Sequence, residues 1–218
     1  MKRFVTVIAA LFMLASSAFA LSDSEYKEMM KDSDFAGAEK KLARIWDEAK
    51  AKLSPEHFAW LQEEQKEWLT NSRDHYAGIA MSGRTPPAKA YADATEQRIN
   101  DIQGAIWAAE ITPDDADENI FTSPAGYEID ISLDRKTGIL TASFESDEAK
   151  TVWTAGGKLS GNVLTVSDDK GSAEIMYLDL NTVTVKSDAK LRGNGVNVDG
   201  KYQQFLNGVQ IRNQKKSR

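Results

Sequence analysis

Apolar side chains recur at steps of three and four along the first half of the chain and at steps of two along the second, so helices are expected first and strands after them. Phe35, Ala38, Leu42, Ile45, Trp46, Ala49 and Leu53 share one helical face behind the capping residues Ser33 and Asp34. Ser54 as N-cap and Pro55 in the first turn open a longer helix. Its stripe runs Phe58, Leu61, Gln65, Trp68, Ser72, Tyr76 and Ile79, until Gly83 and Pro86-Pro87 stop it. A last helix stacks Tyr91, Thr95, Arg98, Ile102, Ala105, Ile106 and Ala109 ahead of Pro113. With a short N-terminal helix before these three and short connections between them, the expected form is an antiparallel bundle.

In the second half, Tyr127 to Leu133 and Leu140 to Phe144 alternate apolar and polar residues around the turn Asp134 to Gly138, the pattern of a hairpin. Further strands are expected at Thr151 to Ala155, Val163 to Val166, Ala173 to Leu180, Thr182 to Lys186, Val196 to Val198 and Tyr202 to Leu206, with Gly156-Gly157, Gly161-Asn162 and Asp199-Gly200 between them. About eight short strands in this length favour an antiparallel sandwich or a small barrel. The fold class is therefore α+β in two domains.

Composition sharpens the boundary. Residues 21 to 113 hold no Val, four Gly and fifteen Ala, whereas all eight later Val and ten of the fourteen Gly follow residue 113. Thr112-Pro113-Asp114-Asp115-Ala116-Asp117-Glu118-Asn119, with four acids and no hydrophobe larger than Ala, reads as a linker. The expected organisation is a signal peptide over 1–20, a helical domain over 21–112, an acidic linker over 113–119, a β domain over 120–212 and a basic tail over 213–218. The signal rests on Met1-Lys2-Arg3, the apolar run Phe4 to Leu14 broken only by Thr6, and the cleavage site Ala18-Phe19-Ala20. That apolar run is too short for a bilayer, which needs roughly 20 residues, and no later stretch is apolar enough. A periplasmic or secreted protein without a transmembrane span in its mature form follows.

Charge and reactive side chains then narrow the function. Losing Lys2 and Arg3 would leave 25 basic against 33 acidic residues, a net charge of −8, which disfavours a phosphate-backbone binder and so nucleic acid. The absence of Cys excludes disulfides, thiolate nucleophiles and Cys-held metals. His57 and His75, eighteen positions apart on one helix, are about 27 Å from each other and cannot share an ion. Glu63, Glu64 and Glu67 are read as a solvated face, and no nucleophile–base spacing, phosphate loop or calcium loop is present. No catalytic residue, metal or cofactor is expected, and the chain reads as a binder.

Residues 35 to 106 carry an ordered set: Leu42 and Trp46, then Gln65-Lys66-Glu67-Trp68, then Arg73-Asp74, then Tyr91, Thr95 and Arg98. The set resembles the LprI-type lysozyme-inhibitor N-terminal domain, a helical module of exported bacterial proteins, in its first helix, its Gln-x-x-Trp core and its Thr-x-x-Arg helix. Two features depart from that family: the Cys residues common in it are absent here, and Arg73 lies five rather than four residues past Trp68. The second departure turns Arg73 by roughly 100° about its helix, leaving its partner open. The resemblance implies an inhibitor that occludes the cleft of a lysozyme or another basic glycosidase.

From the residues themselves, Trp46 and Trp68 are expected in the core, and Gln65, Arg73, Asp74, Thr95 and Arg98 in a polar network tying the longest helices together. Trp60, off the apolar stripe, Arg84, in the stiff loop Met81 to Pro87, and Trp153, taken as exposed, are the candidate partner contacts. A glycan, peptide or exported protein bound through the Gly-rich β domain, with Trp153 as platform, is the alternative function.

Overall fold

The computed structural model describes residues 21–146 and 150–204. The expected signal peptide over 1–20, the end of the last expected strand at 205–206 and the basic tail lie outside the described residues. The chain divides into two compact units between Ile106 and Trp107, a few residues before the composition break.

The first unit is helical throughout. Helix α1 (Asp23–Met29) begins with a capping box in which Ser22 and Glu25 satisfy each other's backbone amides. Helix α2 (Ser33–Lys52) starts at the Asp32 cap, one residue before the expected ones, and α3 (Pro55–Glu67) starts at Ser54-Pro55 as the sequence signals. A π-helical turn (Trp68–Ser72) follows without a break, then α4 (Arg73–Ser82) and α5 (Pro87–Ala109). Phe35, Ala38, Ala77, Ala90, Tyr91 and Ala92 form a core patch against which Leu21, Tyr26 and Met29 pack.

The expected bundle of three long helices plus a short one is corrected here. The segment expected as one long helix is divided into α3 and α4 by the π turn, and Pro113–Ala116 forms a further helical turn, α6, beyond α5. The π turn also changes the inward face. Leu61, Gln65 and Trp68 point inward as the stripe predicts, but beyond the turn the buried residues are Arg73 and Ala77, while Tyr76 and Ile79 are 51% and 57% exposed. One extra residue within a turn is what moves the stripe.

The second unit is a single antiparallel sheet that closes on itself in chain order, so the expected sandwich is overturned. The strands are β1 (Asn119–Thr122), β2 (Glu128–Asp134), β3 (Ile139–Glu145), β4 (Thr151–Ser160), β5 (Val163–Ser167), β6 (Ser172–Tyr177), β7 (Thr182–Ser187) and β8 (Gly200–Gln203). Closure is made by Thr122 of β1 against Gln203 of β8. Alternate residues fill the interior: Ile129 and Ile131, Leu140, Ala142 and Phe144, Leu164 and Val166, Ala173 and Ile175, Val183 and Val185 are all buried.

Three further expectations are corrected. Gly156-Gly157, expected as a turn, lies inside β4, where Gly157 faces Val166 so closely that a Cβ would sit 1.8 Å from the Thr165 carbonyl oxygen. Val196 to Val198 form no strand; helix α7 (Ala189–Gly193), capped by Asp188, precedes them, and Leu191 and Val198 are buried in the barrel core. The acidic stretch 113–119 is not a linker. Thr112 and Asp115 form a capping box on α6, Ala116 is fully buried in the barrel core, Asp117 accepts from the Leu133 amide at 2.7 Å, and Arg135 reaches Asp114 and Asp117 at 3.1 and 2.9 Å. Among the described residues no helix is long and apolar enough to cross a membrane.

Candidate functional site

The helical unit encloses a set of polar side chains that an apolar interior tolerates only when they satisfy one another. Glu39 on α2 is buried and accepts hydrogen bonds from the Tyr26 hydroxyl of α1 and the Thr95 hydroxyl of α5, each at 3.1 Å. Arg98 donates from Nε to the Gln65 side-chain oxygen at 2.8 Å, joining α5 to α3. Arg73 is 1% exposed, its guanidinium 5.5 Å from the Trp68 ring centre and 5.9 Å from that of Tyr91, with Asp74 Oδ1 3.8 Å from its Nε. Thus Gln65 meets Arg98, Thr95 meets Glu39, and Arg73 meets Trp68, Tyr91 and Asp74.

The π turn explains how Arg73 arrives there. Its amide donates to the Trp68 carbonyl, a five-residue hydrogen bond, so the step from Trp68 to Arg73 ends on the face that a four-residue step reaches in an α-helix. The extra residue of the wider turn is absorbed within one turn. Deleting Asn71, which is exposed, should therefore convert the π turn to an α turn and leave the unit folded, with thermal unfolding changed by no more than a few degrees. The same deletion at Glu63, inside α3, shifts every inward residue on one side by about 100° and should unfold the unit. Circular dichroism melts of both variants decide the point; equal damage would refute this reading of the turn.

The electrostatics follow from burial. Burial raises the Glu39 carboxyl above its ordinary 4.5, against the pull of Arg73 and the bonds from Tyr26 and Thr95. Asp74 is likewise raised from 3.8 by burial, against Arg73 and the Tyr91 hydroxyl, and Tyr91 is pushed up to about 12 by burial and by Asp74. The folded unit therefore binds protons at Glu39 and Asp74 more readily than the unfolded chain. Their stabilising effect is complete below the ordinary values and is lost as pH rises through the raised ones. In the barrel the direction is opposite: hydrogen bonds from Leu191 and Ser172 hold Asp188 low, so its support is present above 3.8 and is lost as pH falls through the lowered value. Acidification from neutrality should thus protect helical amides from hydrogen exchange while leaving barrel amides level until it approaches 3.8. Glu39→Gln should flatten the helical response, and an unchanged slope would count against it.

The remaining site residues stand as follows. Leu42 and Trp46 are half-buried, the Trp46 ring 5.2 Å from Phe58. Trp60 is half-buried with its ring 5.7 Å from that of fully buried His57, not a free platform. Trp153, taken as exposed from its place in the β half, is only 2% exposed and stacks on Phe144 at 5.5 Å; as an inward residue of β4 it belongs to the barrel core. Glu39 and Tyr26 were not singled out from the sequence. Glu39 sits between Phe35 and Leu42 on the inward face of α2, and a carboxylate at an apolar-stripe position was the available signal.

Arg84 is different. It is exposed, and its backbone is left-handed, with φ 72°. The α4 end is a Schellman turn: the Arg84 amide donates to the Met81 carbonyl at 2.9 Å and the Thr85 amide to the Ala80 carbonyl at 3.2 Å. Arg84 therefore occupies the position at which glycine is usual, while the glycine of this loop, Gly83, stands one residue earlier at φ −80°. Pro86 and Pro87 follow and start α5. Among the described residues Arg84 has no ion pair, and no cluster of three or more His, Asp or Glu could hold a metal ion. A cation is thus held outward on a turn whose backbone is costly for it. No protein-family model, curated protein or solved structure matches the chain.

Proposed function

We propose that this is an exported, non-catalytic binding protein whose helical unit inhibits lysozyme-type glycosidases by placing the Arg84 turn in their active-site cleft. The observation that carries the reading is Arg84 itself, an exposed guanidinium on a left-handed residue of a Schellman turn with two prolines behind it. A non-glycine residue there costs on the order of 1 kcal/mol, and strain of this kind is kept where the surrounding structure and a use for the side chain hold it. A cation carried on a backbone turn stiffened by prolines loses less backbone freedom on docking, and a glycosidase cleft offers two carboxylates as its counterpart. The ordered residues from Leu42 to Arg98 that resemble the LprI-type domain support the same assignment. Residues 21–112 carry a net −5 and 113–119 a further −4, a field that speeds encounter with a basic enzyme and weakens with salt.

Titrating the purified chain against turnover of a basic lysozyme at low and moderate salt tests the proposal, and no inhibition at large molar excess overturns it. Arg84→Gly separates strain from use. Glycine relieves the left-handed backbone, so the variant should unfold at the same temperature or a few degrees higher, while inhibition weakens by roughly 30-fold, the loss of one interface anchor worth about 2 kcal/mol. A variant that is less stable or equally inhibitory speaks against this role.

A further inference from the structure

Helix α4 carries a second feature that the Arg84 turn does not account for. Tyr76 and Ile79 are among the few large apolar side chains exposed in the structure, and they lie three residues apart, adjacent on one helix face. The other exposed hydrophobics, Ile120, Ile139 and Leu180, belong to separate strands and loops of the barrel. The π turn puts the pair outside, because an uninterrupted helix would carry Tyr76 and Ile79 on the inward stripe of Leu61, Gln65 and Trp68.

The sequence along α4 and its turn differs in charge from the rest of the unit. From His75 to Ala92 there is no Asp or Glu, in a chain with 33 of them. The two cations in that stretch are Lys89, engaged by Asp93 at 2.6 Å, and Arg84. Tyr76, Ile79 and Arg84 thus follow one another along α4 and its turn over about 12 Å of helix axis, without a carboxylate between them. A unit of net negative charge thus carries two exposed apolar side chains on α4 and an exposed cation just past the end of that helix.

We infer that this strip is the docking surface, and that its occupant is the apolar-walled, carboxylate-bearing cleft of the same glycosidase class. This rests on the function proposed above and adds that α4 lies along the cleft, with Arg84 at the carboxylates and Ile79 and Tyr76 against the wall. Charge complementarity selects this occupant. A cleft with acids at its floor inside a basic protein matches a cationic tip inside an acidic one, and binding clefts are mainly apolar with a few polar groups.

Inhibition of a basic c-type lysozyme by the full chain, with Ile79→Glu, Ile79→Ser and Tyr76→Ala beside the parent, tests the inference. Both positions are exposed, so unchanged melting temperatures are expected, and Glu63→Gln, on an exposed part of α3, serves as the control with unchanged inhibition. Ile79→Glu buries an uncompensated charge against the apolar wall and should raise the inhibition constant at least 100-fold, while Ile79→Ser and Tyr76→Ala should raise it about 10-fold each. Inhibition that depends on Arg84 but is untouched by all three substitutions overturns the α4 surface and leaves the Arg84 reading standing. No inhibition by the parent overturns both. Dimerisation of the chain alone, abolished by Ile79→Glu, would give the strip to a second copy and likewise refute the inference.

Discussion

Gly157→Ala should destroy the barrel. The new Cβ would lie 1.8 Å from the Thr165 carbonyl oxygen, 2.6 Å from its carbon and 2.8 Å from the Val166 Cα, all backbone atoms of the neighbouring strand. No side-chain rotation relieves such contacts, so β4 and β5 must part and give up the ladder from Gly156 to Ser160. Overpacking of a core ordinarily costs about 1–3 kcal/mol, and a backbone clash at a paired position should exceed about 4. Against a total of about 5–15 kcal/mol for a domain, that leaves a large unfolded fraction. Gly156→Ala is the comparison: its nearest neighbour is the Ile139 Cγ2 methyl at 3.1 Å, a side chain that can turn away, so a loss below about 1 kcal/mol is expected. Urea unfolding followed through the buried Trp153 measures both, and similar midpoints for the two variants would disprove the account.

Glu39→Ala should do comparable harm to the helical unit. It removes the acceptor of both the Tyr26 and Thr95 hydroxyls and leaves the buried Arg73 with less opposite charge. Leaving two largely buried hydroxyls without their acceptor costs about 2–4 kcal/mol. Glu39→Gln keeps an oxygen for the two hydroxyls and should cost about half as much, and Thr95→Val about 1 kcal/mol. A double-mutant cycle between Glu39 and Thr95 should return a coupling of about 1 kcal/mol, and additivity of the two changes would remove the hydrogen bond from the argument.

Local chemistry was readable from the residues where it is local. The Ser54-Pro55 start, the stop at Gly83 and the period-two runs of β2, β3, β5 and β7 each follow from neighbours a few positions apart. What escaped depends on distant partners or on an irregular step. Barrel closure joins Thr122 to Gln203, which no periodicity encodes. The π turn offers no composition of its own, so Tyr76 and Ile79 were placed inside on an uninterrupted 3.6-residue period. Gly157 was misread because β4 runs on to Ser160, past the expected end at Ala155, and Trp153 because alternation alone does not say which face of a strand turns into the barrel. The stretch 113–119 was misread although Thr112, Pro113 and Asp115 already spell a capped helix start, because its acidity outweighed that signal. In the candidate site, the polar residues of α3 to α5 were recognisable by their spacing, but Glu39, whose partners Tyr26 and Thr95 lie on other helices, was not.

The ring of strands also sets an order of events during synthesis. Until the segment around Gly200–Gln203 emerges, β1 and β7 each keep one unpaired edge, and the open sheet resembles the edges through which chains join one another. With no cysteine to lock an early intermediate, the nascent barrel is most vulnerable just before its last few residues arrive. A premature stop only a short way before residue 200 would therefore leave a sticky sheet rather than a slightly smaller barrel.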